Sequence, residues 1–389
     1  MLETVSAIII LVFVISLCLT KDILHPSVIV SGVWMVLLNL YIYCNHPLWN
    51  LSEYFCKAIL FWVLPFSFTS CLFSIKALKL SRSSIDTPVN VRMYNKLYPY
   101  VFLYVCLFVF LLVYYAGGFS FTNIRLFMVG NKFPTILSVL FYLNTFMTVY
   151  AFYGLLNIDT LDKKKVLGVI ALLLLISVFK SNKTSFLVIF IGILYILKRK
   201  KRLKLTSLIY AITILIILLS LVTYNRGDYD FDSDAGLENF MYIYLLSPLT
   251  AFDLLLNNEI SLNAGAIGSG TFAFLFKIIN AFGTNLEIAD LGEWVYVPLP
   301  TNVFTVMRGF YLDGGYWGIF FMACVLGSIW GILYQLQHKG HKVYIVFYAT
   351  MISSLFFQSF GDYFFYAFSM TIQYYLFSVI LTRGIKCHK

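Results

Sequence analysis

Eleven largely apolar stretches of 14 to 21 residues run through this chain of 389 residues and constrain its fold more than any other feature. A bilayer's hydrocarbon core is about 30 Å thick and takes about 20 residues of α-helix to cross. Helices and closed barrels alone can make that crossing, because no water is available there to satisfy peptide groups. The stretches are residues 5–20, 27–44, 58–75, 97–115, 136–156, 166–179, 184–197, 205–224, 316–336, 343–357 and 363–381. They predict an all-α polytopic membrane protein with about eleven transmembrane helices, the first of which is a span and not a cleaved signal. The sixth, seventh and tenth have only 14 or 15 residues, so their basic ends must snorkel or their connections must dip into the membrane. Composition excludes a conventional soluble enzyme: charged residues are 12%, against about 25% in globular proteins. With 38 Phe and 28 Tyr the chain is no disordered low-complexity protein either.

Charge sets the expected orientation. With the amino terminus outside and the carboxyl terminus cytoplasmic, inner segments collect 20 of the 28 Lys and Arg residues, including six in the run 198–204. The positive-inside rule asks for that excess. Acidic residues go the other way, four inside and fourteen outside, so the net +10 resolves into +16 and −6. The excess is topological and implies no nucleic-acid partner. The expected organisation is eight spans over 1–224, a large outer loop over 225–313, and three spans with a cytoplasmic tail over 314–389. Within the loop, 237–256 and 271–282 are apolar enough to form amphipathic helices on the membrane, and Pro248 should break or kink the first. No internal repeat is visible, which disfavours a repeat-built transporter.

The seven cysteines form no CxxC or metal spacing and read mainly as buried thiols; a Cys44–Cys56 disulfide is the lesser alternative. None of the five histidines lies between His46 and His338, so the large loop has no imidazole base or ligand. The acidic run 228–234 fails the calcium-loop pattern, with Ala235 and Met241 where Gly and Glu are needed. Neither metal nor cofactor is expected.

Cations stranded on the outer side demand more explanation than the inner ones. Arg125 follows Gly117 and Gly118; Lys180 and Lys183 bracket a tight hairpin; Arg226 caps the eighth span; Arg308 precedes the ninth. Snorkelling or pairing with nearby Asp would explain each. Convergence on a lipid-linked diphosphate would explain them together, since guanidinium meets phosphate oxygens bidentately and lysine adds a point charge. A general base in the loop must be a carboxylate, and the candidates are Asp253, Glu293 and Asp313, each with a salt bridge or helix-end solvation as the plainer role.

Residues 298–318 contain Pro300-Thr301-Asn302-Val303-Phe304-Thr305, then Arg308, then Tyr311-Leu312-Asp313 with Gly315 and Gly318. This segment resembles the Pro-Thr-Asn stretch and the aromatic-x-Asp-x-Gly-x-x-Gly helix start of bacterial O-antigen and capsule oligosaccharide repeat-unit polymerases. The span plan with one large late outer loop is similar too; Lys183, where an arginine would be expected, departs from the pattern. The resemblance implies a GT-C-like architecture in the bacterial inner membrane. It also implies undecaprenyl-diphosphate-linked oligosaccharides as donor and acceptor, the bilayer as surroundings, and a chain-length regulator protein as a candidate partner. The implied reaction transfers the growing glycan from its lipid diphosphate to the non-reducing end of a new unit, with inversion. Arg308 and Arg226 would hold the diphosphate, with Arg125, Lys183 and Lys180 assisting. Asp313 or Asp253 would orient or deprotonate the acceptor hydroxyl, and Asn302, Thr305 and Tyr311 would contact substrate. Trp294, Tyr296, Tyr311 and Tyr316 could stack on sugars, or simply belong to an interfacial aromatic belt. Rival readings are a flippase of lipid-linked oligosaccharide, an O-antigen ligase, which would carry a loop histidine, and a non-catalytic scaffold.

Overall fold

A computed structural model describes residues 1–79, 89–129, 133–180, 183–203, 213, 245–289, 292, 294–298 and 300–383. The described helices are α1 (Leu2–Thr20), α2 (Pro26–Tyr43), α3 (Glu53–Lys79), α4 (Val91–Tyr115), α5 (Phe121–Val129), α6 (Thr135–Leu156), α7 (Lys163–Phe179) and α8 (Lys183–Arg199). They continue with α9 (Ser247–Leu256), α10 (Ala273–Ala281), α11 (Arg308–His338), α12 (Lys342–Met351), α13 (Ser353–Phe356) and α14 (Phe368–Arg383). A hairpin of two short strands, β1 (Val295–Tyr296) and β2 (Pro300–Thr301), precedes α11. Among the described residues, six segments are long and apolar enough to cross a membrane: Leu2–Thr20, Pro26–Tyr43, Glu53–Ile75, Val91–Tyr115, Thr135–Leu156 and Arg308–His338. The chain is a membrane protein. Ten of the eleven apolar stretches fall on described helices; the other, 205–224, lies outside the described residues apart from Thr213.

The chain divides into two compact units. The first comprises Met1–Ser83, Asp234–Lys339 and Ser354–Thr371. Here α1, α2 and α3 pack on one another and α11 lies along α3. The close approach of α3 and α11 follows from small residues: a Cβ on Gly327 would come 2.5 Å from the Phe66 carbonyl oxygen, and one on Gly331 would come 2.6 Å from that of Ser70. Association inside lipid depends on such backbone proximity, because burying apolar surface there gains nothing over lipid. Gly327 and Gly331 are four apart and share a face, opposite Phe66 and the buried Ser70 of α3.

The second unit comprises Ser84–Ser233, Gly340–Ser353 and Ile372–Lys389. In it α6 contacts α4, α7, α8 and α12. Tyr94 stacks on Tyr150 at 4.3 Å, and the Tyr150 hydroxyl donates to the Tyr94 carbonyl at 2.7 Å. Helix α7 starts where Asp162 accepts from the Lys164 N–H at 2.9 Å, satisfying one of the donors that every helix start leaves open.

Several boundaries depart from the hydropathy reading. Helix α11 begins eight residues before Tyr316, with a kink at Gly314 and Gly315 that apolarity does not register. The stretch 343–357 is broken between α12 and α13, and α14 begins at Phe368, not at 363. The delay has a local cause: the Asp362 carboxylate accepts N–H bonds from Phe364, Phe365 and Tyr366, fixing a turn that competes with helix. Pro248 sits in the first turn of α9, where its missing N–H is no loss. Residues 237–244 lie outside the described residues. Helix α5 was not anticipated. Cys44 and Cys56 are free thiols, and Cys18 and Cys106 are exposed where burial was expected.

Candidate functional site

The first unit gathers the motif residues into one compact structure. Strand β1 pairs antiparallel with β2, Val295 opposite Thr301 and Tyr296 opposite Pro300. Beyond the hairpin, the Val303 N–H bonds to the Thr301 hydroxyl at 3.2 Å. Phe304, Val306 and Met307 are buried. The Val306 N–H then donates to the Gln358 carbonyl at 2.9 Å. Gln358 is itself fixed, because its side-chain oxygen accepts from the Trp62 indole N–H on α3 at 2.8 Å. Segment 301–307 is therefore tied to both α3 and the turn before α14. Trp62, Val306, Gln358 and Asp362 line a small cavity beside it. Burial pushes the Asp362 carboxyl up to about 6 against the opposing effect of its three N–H donors.

Arg308 opens α11 at the end of this segment. Its N–H bonds to the Thr305 carbonyl at 3.2 Å, and its guanidinium carbon lies 4.2 Å from the centroid of the Phe304 ring. Arg308 is 8% exposed, so a full positive charge is fixed against an aromatic face at a helix N-terminus. The neighbouring Thr305 hydroxyl is buried and has no hydrogen-bond partner among the described residues. Asn302 is partly buried. Tyr311, one turn on, packs edge-on against Phe252 of α9 at 6.0 Å and Tyr316 at 5.6 Å.

Two of the three carboxylates singled out in the sequence, Asp313 and Asp253, are described, and both are engaged. Asp313 accepts three backbone N–H bonds, from Gly268 at 2.9 Å, Gly270 at 3.0 Å and Thr271 at 2.7 Å. The loop can come this close only because Gly270 and Gly309 face each other: a Cβ on Gly309 would meet the Gly270 carbonyl oxygen at 2.5 Å. Asp253, buried on α9, accepts from the Ser52 N–H at 2.8 Å and from the Ser52 hydroxyl, tying α9 to the start of α3. Burial raises its pKa while the Ser52 bonds lower it, and burial dominates.

Arg125 is on α5 and Lys180 ends α7 in the second unit, where Phe119 and Phe121 pack on Phe179 at 5.6 and 6.1 Å. The Lys180 ammonium is 5.4 Å from the Phe141 ring centroid. Lys183 begins α8, but its side chain, like Arg226 and Glu293, lies outside the described residues. Sequence reasoning missed Ser52, Gln358, Asp362 and the glycines 268 and 270. The Gly268-Ser269-Gly270-Thr271 run and the polar Gln358-Ser359-Phe360-Gly361-Asp362 interruption of apolar sequence were the available signals.

No family model matches the chain, and no solved structure matches it. Among curated proteins it is similar to the one named "Putative O-antigen polymerase" of Escherichia coli strain K12, 25% identical over 412 aligned residues that take in all of both chains. The resemblance to O-antigen polymerases carried by Pro300 to Gly318 thus extends over the full length.

Proposed function

We propose that this chain polymerises lipid-linked oligosaccharide repeat units at the outer face of the bacterial inner membrane. The observation that carries the reading is Arg308, a buried guanidinium fixed on Phe304 at the first residue of α11. The full-length similarity to a protein named as an O-antigen polymerase supports a polymerase role. The reading adopts the topology expected from charge, with eleven spans, a GT-C-like plan and residues 225–313 outside.

In the proposed reaction a hydroxyl at the non-reducing end of the acceptor unit attacks the anomeric carbon of the growing glycan. The new C–O bond forms as the bond to undecaprenyl diphosphate breaks, with inversion. The diphosphate leaves with the electron pair, and the hydroxyl proton passes to a base. Negative charge accumulates on the leaving diphosphate, where a preorganised guanidinium stabilises the transition state without having to move. Arg308 supplies that charge at the start of α11, and the helix N-terminus adds to it. Arg226, Arg125, Lys180 and Lys183 are the further candidates for the phosphate oxygens. Asp313 takes the role of anchor, since its oxygens meet three backbone donors; Asp253 similarly anchors α9. Asn302, Thr305 and Tyr311 are the candidate contacts to substrate.

Deleting the gene in its host and resolving the surface polysaccharide on a gel tests this reading. A polymerase leaves single repeat units on the lipid core and removes the long-chain ladder. Loss of the single-unit band as well would favour a flippase, and an unchanged ladder would refute the proposal.

A further inference from the structure

Four aromatics around the candidate site fall into two groups. Tyr311 and Tyr316 pack on each other at 5.6 Å, Tyr311 also meets Phe252, and Tyr316 meets Phe61 at 6.0 Å with the Lys57 ammonium 4.7 Å from its ring centroid. Their rings are engaged by protein. Trp294 and Tyr296, by contrast, are 65% and 67% exposed. They alternate with Val295 and Val297, which are buried. The period of two puts both rings on one side of the hairpin, roughly 7 Å apart along an extended chain.

We infer that the outward face of this hairpin, Trp294 with Tyr296, is a stacking platform for neighbouring sugar rings of the oligosaccharide; the inference rests on the function proposed above. The place of the hairpin argues for this occupant, because the chain runs from it directly into the segment that ends at Arg308. The aliphatic residues, which gain most from hydrocarbon, point into the protein, and the outward pair are aromatics with polar edges. The electron-rich face of such a ring attracts the polarised C–H groups on the face of a sugar, while the indole N–H and phenol O–H reach its hydroxyls. The buried valines and the pairing of Tyr296 with Pro300 fix the platform. The platform is also continuous with the segment that ends at Arg308, so a glycan leading away from a diphosphate there would have a surface to follow. Diphosphate and sugar would then be read by different residues.

The test uses the full-length protein in nanodiscs and the lipid-free single repeat unit released from the host's carrier by mild acid. Affinity is measured by calorimetry for wild type, Trp294→Ala, Tyr296→Ala and Trp294→Phe. Each alanine variant should bind roughly tenfold more weakly, the stacking contribution of one ring, while Trp294→Phe keeps most of the affinity. Equal affinity in wild type and both alanine variants, or no binding by wild type, overturns the inference. A second arm uses nanodiscs with brominated acyl chains. If these quench a component of tryptophan fluorescence that Trp294→Phe lacks, the face meets lipid and the inference fails; no such quenching supports it. In the host, the alanine variants at normal protein level should give shortened ladders. Full ladders from those variants, with the ladder lost on gene deletion, would defeat the platform and leave the polymerase standing.

Discussion

At the scale of single residues, the candidate site separates charge from scaffold. Arg308 carries charge, and Asp313 and Asp253 spend their oxygens on backbone and hydroxyl donors. The carboxylate of Asp313 replaces the hydrogen bonds that Gly268, Gly270 and Thr271 would otherwise make to water, and so holds loop and helix together. Asp313→Ala should therefore lower stability by about 3 kcal/mol, the cost of stranding donors that faced a charged acceptor. Asp313→Asn, which keeps one acceptor oxygen but turns an amide N–H₂ toward the other donors, should fall between. Thermal unfolding in detergent measures both, and an alanine variant as stable as wild type would contradict the anchoring role. These residues show the limit of reading sequence alone. Asp313 was visible as a polar residue at a helix start, but its partners lie more than forty residues away, and no local pattern joins Gly268 to Asp313.

At the scale of elements, hydropathy located helices well and located their breaks poorly. Apolarity reports where a chain prefers to be, but it does not mark the backbone kink at Gly314 and Gly315, and it places the last helix at 363, before the turn at Asp362 has ended. The two glycines make a controlled comparison, because a Cβ at either would meet nothing within 4 Å. Gly314 has φ −157° and ψ 21°, outside the helical region but at negative φ, whereas Gly315 has φ 58° and ψ −146°, a combination open essentially to glycine alone. Gly315→Ala should cost about 1–3 kcal/mol through backbone strain, and Gly314→Ala should cost less. Melting temperatures of the two variants check this, and a reversed order would mean that the kink is not as described. The small-residue contact between α3 and α11 was equally silent in hydropathy, since glycine hardly alters an apolar average, yet it sets how near the two helices lie.

At the scale of the whole molecule, six helices among the described residues suited to crossing a membrane, and similarity to a relative over the full length, frame the proposed function. Composition and the eleven apolar stretches made the membrane class legible at once, because bilayer thickness imposes a length that few other constraints mimic. Sidedness rests on the 20 to 8 division of basic residues and is part of the proposal. The central claim is that the glycan moves from one lipid diphosphate to another acceptor with Arg308 stabilising the leaving group. The most direct measurement reconstitutes the purified protein in nanodiscs with the host's purified undecaprenyl-diphosphate-linked repeat unit and no nucleotide sugar, and follows polymer length together with released undecaprenyl diphosphate. The account predicts polymer with one diphosphate released per linkage, and loss of both in Arg308→Ala at normal folding and insertion. No polymer from wild type in membranes that retain intact repeat units, or full polymer from Arg308→Ala, would contradict it.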